Sequence, residues 1–293
     1  MRVATSMFSR VWIGLVAGLC VAGNAKAEPP PGYEVQPIDV QGARAATIDA
    51  YVLRPSGSGP WPAVVGLHGC GGLFNKNGQF SKRELDWGKR WAAAGSVVVF
   101  PDSFNPRGFR QICTVDGATR PIRPRHRGRD AAATLEWLSL QPFIDRNRLA
   151  IVGWSNGGSS VLELVGRPDD MRVPVAPKVA IAFYPGCRPS TDRDAFAGRA
   201  PLTILMGSAD DWTPADRCRA LVAKFPAVRL IEYPGAVHGF DAPDSPRRTR
   251  SGVGLSARGD GKVEVGTDPV ARAAAIAEVE TLLKAAFEPG GRK

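Results

Sequence analysis

The stretch Gly153-Trp154-Ser155-Asn156-Gly157-Gly158 sets a serine between glycines at the spacing Gly-x-Ser-x-Gly. Ahead of it, Leu149-Ala150-Ile151-Val152 has the length and apolar character of a buried strand, and Ser159 to Val165 behind it reads as a helix. In a strand–turn–helix context this pattern is a nucleophile elbow. The turn explains the glycines, because side chains two residues either side of a serine at the apex would collide with neighbouring backbone. What the turn provides is an exposed hydroxyl whose own loop supplies an oxyanion donor and whose following helix favours negative charge at its N-terminus.

A serine hydroxyl is a poor nucleophile at neutral pH and needs a base within hydrogen-bond reach, which in turn needs a carboxylate to orient it. His238, in Val237-His238-Gly239 after an apolar strand, is the candidate base. His68 directly precedes the Gly-rich bend Gly69-Cys70-Gly71-Gly72 and is expected to shape that loop. His126 lies among arginines ahead of a helix and is expected at the surface. The acid is Asp210 or Asp211, adjacent in Gly207-Ser208-Ala209-Asp210-Asp211-Trp212-Thr213-Pro214. An oxyanion hole would combine the Asn156 amide with one from the Gly69-Cys70 bend, placing Cys70 and Asn156 at the site.

The elements around these residues alternate. The apolar runs Ala63–Leu67, Ser96–Phe100, Val179–Tyr184, Leu202–Met206 and Leu230–Tyr233 read as buried strands. Between them, Ser81 and Glu84 form a capping-box pattern at the start of a helix closed by Gly95. Asp130 to Leu140 sets Ala131, Leu135 and Leu138 on one helical face. A helix is expected from about Pro214 to Lys224, and Asp268 as N-cap with Pro269 opens a last one carrying Ile276, Val279, Leu283 and Phe287. Strands alternating with helices, and apolar along their length, predict an α/β protein with a mostly parallel sheet covered by helices on both faces. In such a sheet sites form at the carboxyl ends of strands. The His68–Gly72 bend, Ser155, the Asp210-Asp211 pair and His238 all fall there.

The remaining features bound the setting. Arg2 and Arg10, the apolar run Val11 to Ala22 and the small residues of Ala25-Lys26-Ala27 predict a signal peptide over residues 1–27, with residues 28–293 as a single domain. Export follows, to a periplasmic or secreted location, with no stable membrane insertion after cleavage. Losing Arg2, Arg10 and Lys26 lowers the net charge from +10 to +7. The arginines are scattered rather than aligned on a helix, which argues against nucleic acid as a partner. Cys70, Cys113, Cys187 and Cys218 remain, an even number that suggests two disulfides in any of three pairings. Metal-ligand spacing is absent, so neither metal nor cofactor is expected. The oligomeric state is left open.

The three motifs Gly153–Gly158, Asp210-x-x-x-Pro214 and Val237-His238-Gly239-Phe240 occur in the order Ser, Asp, His of α/β-hydrolases. From about Pro62 to Phe287 the chain resembles the dienelactone hydrolase family. The stretches Pro101-Asp102-Ser103-Phe104 and Tyr184-Pro185-Gly186-Cys187 are similar to an exported, cysteine-bearing branch of it. The resemblance implies the α/β-hydrolase fold, Asp210 as the triad acid, and disulfides Cys70–Cys113 and Cys187–Cys218. Two departures stand out: Ser155 replaces the cysteine nucleophile of the dienelactone hydrolases proper, and His68 stands near the place of their glutamate. The Arg-rich stretch 242–267 is a further difference, expected as a flexible loop or lid. The resulting expectation is a serine hydrolase cleaving small ester or lactone substrates, with no cofactor. A peptidase or acyltransferase on the same scaffold, or a non-catalytic secreted binding protein, are the alternatives.

Overall fold

The structure is a computed structural model that describes residues 29–42, 44–167 and 172–288. The expected signal peptide lies outside the described residues. An eight-stranded sheet runs in the order β1-β2-β4-β3-β5-β6-β7-β8. Its strands are β1 (Tyr33–Val40), β2 (Ala46–Leu53), β3 (Trp61–Leu67), β4 (Val97–Pro101), β5 (Ile144–Trp154), β6 (Val179–Phe183), β7 (Leu202–Gly207) and β8 (Val228–Tyr233). The first two strands are antiparallel, β2 also runs against β4, and β4 through β8 are parallel. Every residue of β4, β6 and β7 is buried, as a central parallel strand with both faces covered requires.

The covering helices are α1 (Lys82–Ala93), α2 (Pro124–Ser139), α3 (Asn156–Gly166), the single turn α4 (Arg188–Thr191), α5 (Ala215–Lys224) and α6 (Pro269–Phe287). Helices α2 and α3 pack on each other and on the central strands. Helices α1 and α6 are joined by an Arg272–Asp86 ion pair at 2.8 Å. The predicted stripe holds: Ala131, Leu135 and Leu138 are fully buried. Asp268 caps α6 as expected, accepting the amides of Val270 and Ala271.

Two local expectations are corrected. Ser81 is the N-cap of α1, but its side chain makes no capping bond. Glu84 turns inward instead, to full burial, and takes a 2.7 Å bond from Arg83. His126 is buried rather than at the surface, because it forms the first turn of α2 and its Nδ1 accepts the Arg123 amide. Burial, then the cations Arg125, Arg129, Arg44 and Arg107, push its pKa down to about 4. The 242–267 stretch carries a hairpin, β9 (Arg248–Ser251) against β10 (Lys262–Val265). Val253, Val263 and Val265 bury against Trp212, which gives the stretch a small apolar core of its own. Among the described residues, no helix is long and apolar enough to cross a membrane.

Candidate active site

Strand β5 ends at Trp154 and α3 begins at Asn156, leaving Ser155 alone in the turn with φ 55° and ψ −116°. A positive φ is unusual for a non-glycine residue and marks strain held by its surroundings. Here the hold is tight. A Cβ at Gly153 would stand 2.4 Å from the Gly157 carbonyl oxygen, and one at Gly157 would stand 2.0 Å from that of Leu67. Only glycine allows β5, β3 and α3 to approach this closely. The Ser155 amide donates to the Phe183 carbonyl at 2.9 Å, tying the elbow to the end of β6.

The loops after β7 and β8 bring the partners. His238 Nε2 lies 3.0 Å from Ser155 Oγ, and its Nδ1 lies 2.7 Å from Asp210 Oδ2. A carboxylate only accepts, so Nδ1 carries the proton and Nε2 is free to accept from the serine hydroxyl. Asp210 is itself oriented, its Oδ1 taking the amides of Trp212 at 2.9 Å and Thr213 at 2.8 Å. All three residues are buried.

The neighbouring Asp211 faces elsewhere. Its carboxylate accepts the Glu264 amide at 2.8 Å and pairs with Arg258 at 2.9 Å, and its carbonyl accepts the Ala257 amide. Asp211 therefore anchors the β9–β10 hairpin. The hairpin also reaches His238, whose carbonyl accepts the Gly266 amide, and Cys113, whose carbonyl accepts the Gly254 amide.

Over the serine lies the Gly-rich bend. A Cβ on Gly69 would meet Ser155 Cβ at 3.7 Å, so the backbone of Gly69-Cys70 passes beside the hydroxyl. Asn156 is the first residue of α3, where amides have no acceptor within the helix and the helix dipole is positive. Cys70 and Asn156 border the same cavity as Ser155. Disulfide Cys70–Cys113 fastens the bend, and Cys187–Cys218 joins the loop after β6 to α5. This is the pairing that the resemblance implies.

Several residues at the site carry no motif. Thr213 Oγ1 lies 3.1 Å from Asp210 Oδ2, 3.2 Å from His238 Nδ1 and 3.0 Å from the Tyr184 carbonyl. The Tyr184 ring packs on that of His238, with centroids 4.5 Å apart. Behind them Asp241 is fully buried and takes bonds from Trp87 Nε1, Trp154 Nε1 and the Tyr184 hydroxyl. Burial raises the Tyr184 pKa well above its usual value, so the hydroxyl stays a donor. The signal for Asp241 was its position three residues after His238, an acid set in an apolar stretch. Arg83 donates to the Tyr184 hydroxyl from the other side. His68 is fully buried behind the bend, its Nδ1 donating to the Gly69 carbonyl at 2.8 Å.

Two lobes of the cleft meet at Ser155. One, of about 670 Å³, is bordered by Asn156, Ser159, Gly186, Pro189 and Leu255. The other, of about 500 Å³, is bordered by Phe74, Arg83, His238, Arg248 and Arg250. Cys70 and Trp212 border both.

The family model described as dienelactone hydrolase family matches residues 48–287. An uncharacterized protein of Mycobacterium tuberculosis (strain ATCC 25618 / H37Rv) is 33% identical over 136 residues, covering 40% of this chain and 48% of that protein. The chain thus spans about half the length of the relatives it matches in sequence. Among solved structures, the dienelactone hydrolase-like promiscuous phosphotriesterase P91 from metagenomic libraries superposes with a TM-score of 0.62 at 21% identity, covering 87% of this chain and 99% of that one. Thermogutta terrifontis esterase 2 phosphorylated by paraoxon superposes with a TM-score of 0.59 at 17% identity, covering 89% and 97%. At these identities the likeness is one of fold.

Proposed function

This chain belongs to the dienelactone hydrolase family, and from that premise we propose that it is an exported serine hydrolase cleaving ester or lactone bonds of small substrates. The observation that carries this reading is the Ser155–His238–Asp210 relay at 3.0 and 2.7 Å, set at a strained elbow beneath a Gly-rich bend. In it Ser155 Oγ attacks the acyl carbon while His238 Nε2 takes its proton. Asp210 holds the Nδ1 proton and stabilises the imidazolium. The carbonyl oxygen becomes an oxyanion facing the amides of Cys70 and Asn156. Each such donor is worth on the order of 3 kcal/mol of barrier. His238 then gives its proton to the departing alcohol, and water attacking the acyl-enzyme by the same route restores Ser155.

The serine chemistry is in keeping with its fold neighbours, which include an esterase and a phosphotriesterase. Export rests on the sequence of residues 1–27 and on two disulfides, a bond type that persists in oxidising compartments. The test is hydrolysis of a nitrophenyl acetate series, with labelling by a fluorophosphonate probe. Wild type turns over and labels, and Ser155→Ala does neither while unfolding at the same temperature. Undiminished turnover in Ser155→Ala would remove the serine from the chemistry.

A further inference from the structure

Helix α2 carries a cation into the interior and gives it a single hydrogen-bond partner. Arg127, in the first turns of α2, is fully buried, and its Nη1 donates to Asn156 Oδ1 at 2.8 Å. Its Nε and Nη2 are buried without a hydrogen-bond partner among the described residues. The acids nearest its charge are held by other groups. Asp130 takes two bonds from Arg107, at 2.7 and 3.0 Å. Asp102 takes the amides of Phe104 and Asn105 and the Asn105 side chain. Burial is the first influence on Arg127 and pushes its pKa down to about 10, against the pull of Asp130 and Asp102. It therefore remains a cation at neutral pH. An ionised group buried without a matched partner is costly, so its charge is open to a negative charge that arises only during reaction.

Its position is behind the oxyanion hole. Asn156 opens α3 and offers its amide to the reacting carbonyl oxygen, and the side chain of that same residue is the one Arg127 holds. On the other side, the Phe104 ring lies 5.0 Å from the guanidinium and 4.7 Å from the His68 ring, and His68 bonds the Gly69 carbonyl of the bend. Arg127 thus backs both donors. We propose that Arg127 is a positioning residue for the oxyanion hole, which fixes the donor amide through Asn156 and whose buried charge favours the oxyanion over the neutral carbonyl. A charge in the interior is screened far less than one at the surface, and this one acts in the same sense as the dipole of α3. The oxygen is neutral in the bound ester and negative in the tetrahedral intermediate, so the contribution falls on kcat rather than KM. This inference rests on the serine hydrolase reading above.

Kinetics on nitrophenyl butyrate and inhibition by two ketones test it. Pentyl trifluoromethyl ketone is attacked by Ser155 Oγ: an O–C bond forms, the carbonyl electron pair moves to oxygen, and the hydroxyl proton passes to His238 Nε2. That adduct carries the oxyanion, whereas pentyl methyl ketone binds as the neutral carbonyl. Arg127→Met is expected to lower kcat about thirtyfold with KM changed less than about twofold. It weakens the trifluoromethyl ketone by a similar factor and leaves the methyl ketone unaffected. Arg127→Lys, which keeps the charge, recovers part of both losses. A purely structural arginine would move Tm and spare the ratio of the two ketones. An unchanged ketone ratio in folded Arg127→Met overturns the inference, as does a loss confined to KM or an Arg127→Lys no better than Arg127→Met. If Arg127→Met does not fold, Asn156→Ala takes its place, since it keeps the amide and loses the hydrogen bond. There kcat and the ketone ratio must fall together, and either one unchanged overturns the inference. Active wild type with variants that match it removes this inference alone. Wild type that neither hydrolyses the ester nor distinguishes the ketones removes the serine hydrolase reading, and this one with it.

Discussion

Two histidines follow strands of the same sheet, each with an aspartate beside it, and they are put to opposite uses. His238 has Asp210 at 2.7 Å on one nitrogen and Ser155 at 3.0 Å on the other. His68 has Asp102 at 3.9 Å, too far for a hydrogen bond, and its Nδ1 is spent on the Gly69 carbonyl. Its Nε2 is buried without a partner among the described residues, and its ring meets Phe104 edge-on. Burial first, then Arg127 and Arg83, hold the His68 pKa well below the ordinary value, so the ring is neutral. A His–Asp pair by itself is therefore no sign of a base. What separates the two is the Ser155 hydroxyl on the second nitrogen and a place on the wall of the cleft. His68 instead braces the bend whose backbone faces the serine.

The largest test of this difference is to replace each ring by an amide. His238→Gln is expected to lower kcat/KM on the order of 10⁴-fold with little change in Tm, whereas His68→Gln costs less than about tenfold. Steady-state kinetics on nitrophenyl acetate decides it, and comparable losses would end the distinction.

The aspartates sharpen it next. Asp210→Asn should cost roughly 10³- to 10⁴-fold in kcat by disturbing the tautomer of His238. Asp211→Asn should cost about tenfold or less, because that carboxylate holds the Glu264 amide and Arg258 rather than a histidine. A larger effect at Asp211 would mean that the hairpin, and not the relay, limits turnover.

The smallest effect concerns stability. His68 is neutral when folded but gains a proton when unfolded below about pH 6.5. The unfolded state then binds more protons, so stability falls as the pH drops through that value toward the depressed folded one. Asp102 is the acid facing the ring, and Arg127 and Arg83 are the cations. His68→Gln should shrink the loss of Tm between about pH 7.5 and pH 5.5. An unchanged slope in thermal melts would assign it to other groups, His126 first among them.

The strands, the elbow and the helices were legible because each is written in neighbouring residues: apolar runs, glycines at set spacing, and Asp268 before Pro269. The residue types for a relay were legible for the same reason, as Ser155, His238 and one of two adjacent aspartates. The choice between those aspartates needed more than the local pattern, since adjacent residues in a loop point in different directions. In the fold, Asp210 turns toward His238 and Asp211 toward the hairpin. The burial of His126, the inward turn of Glu84 and the network on Asp241 depend on partners that local spacing does not reveal. Trp87 meets Asp241 across 154 residues. The sequence by itself determined the elements and the chemistry available at their ends. Only the tertiary structure decided which side chains meet, because contacts between loops depend on where the sheet places strand ends that are distant along the chain.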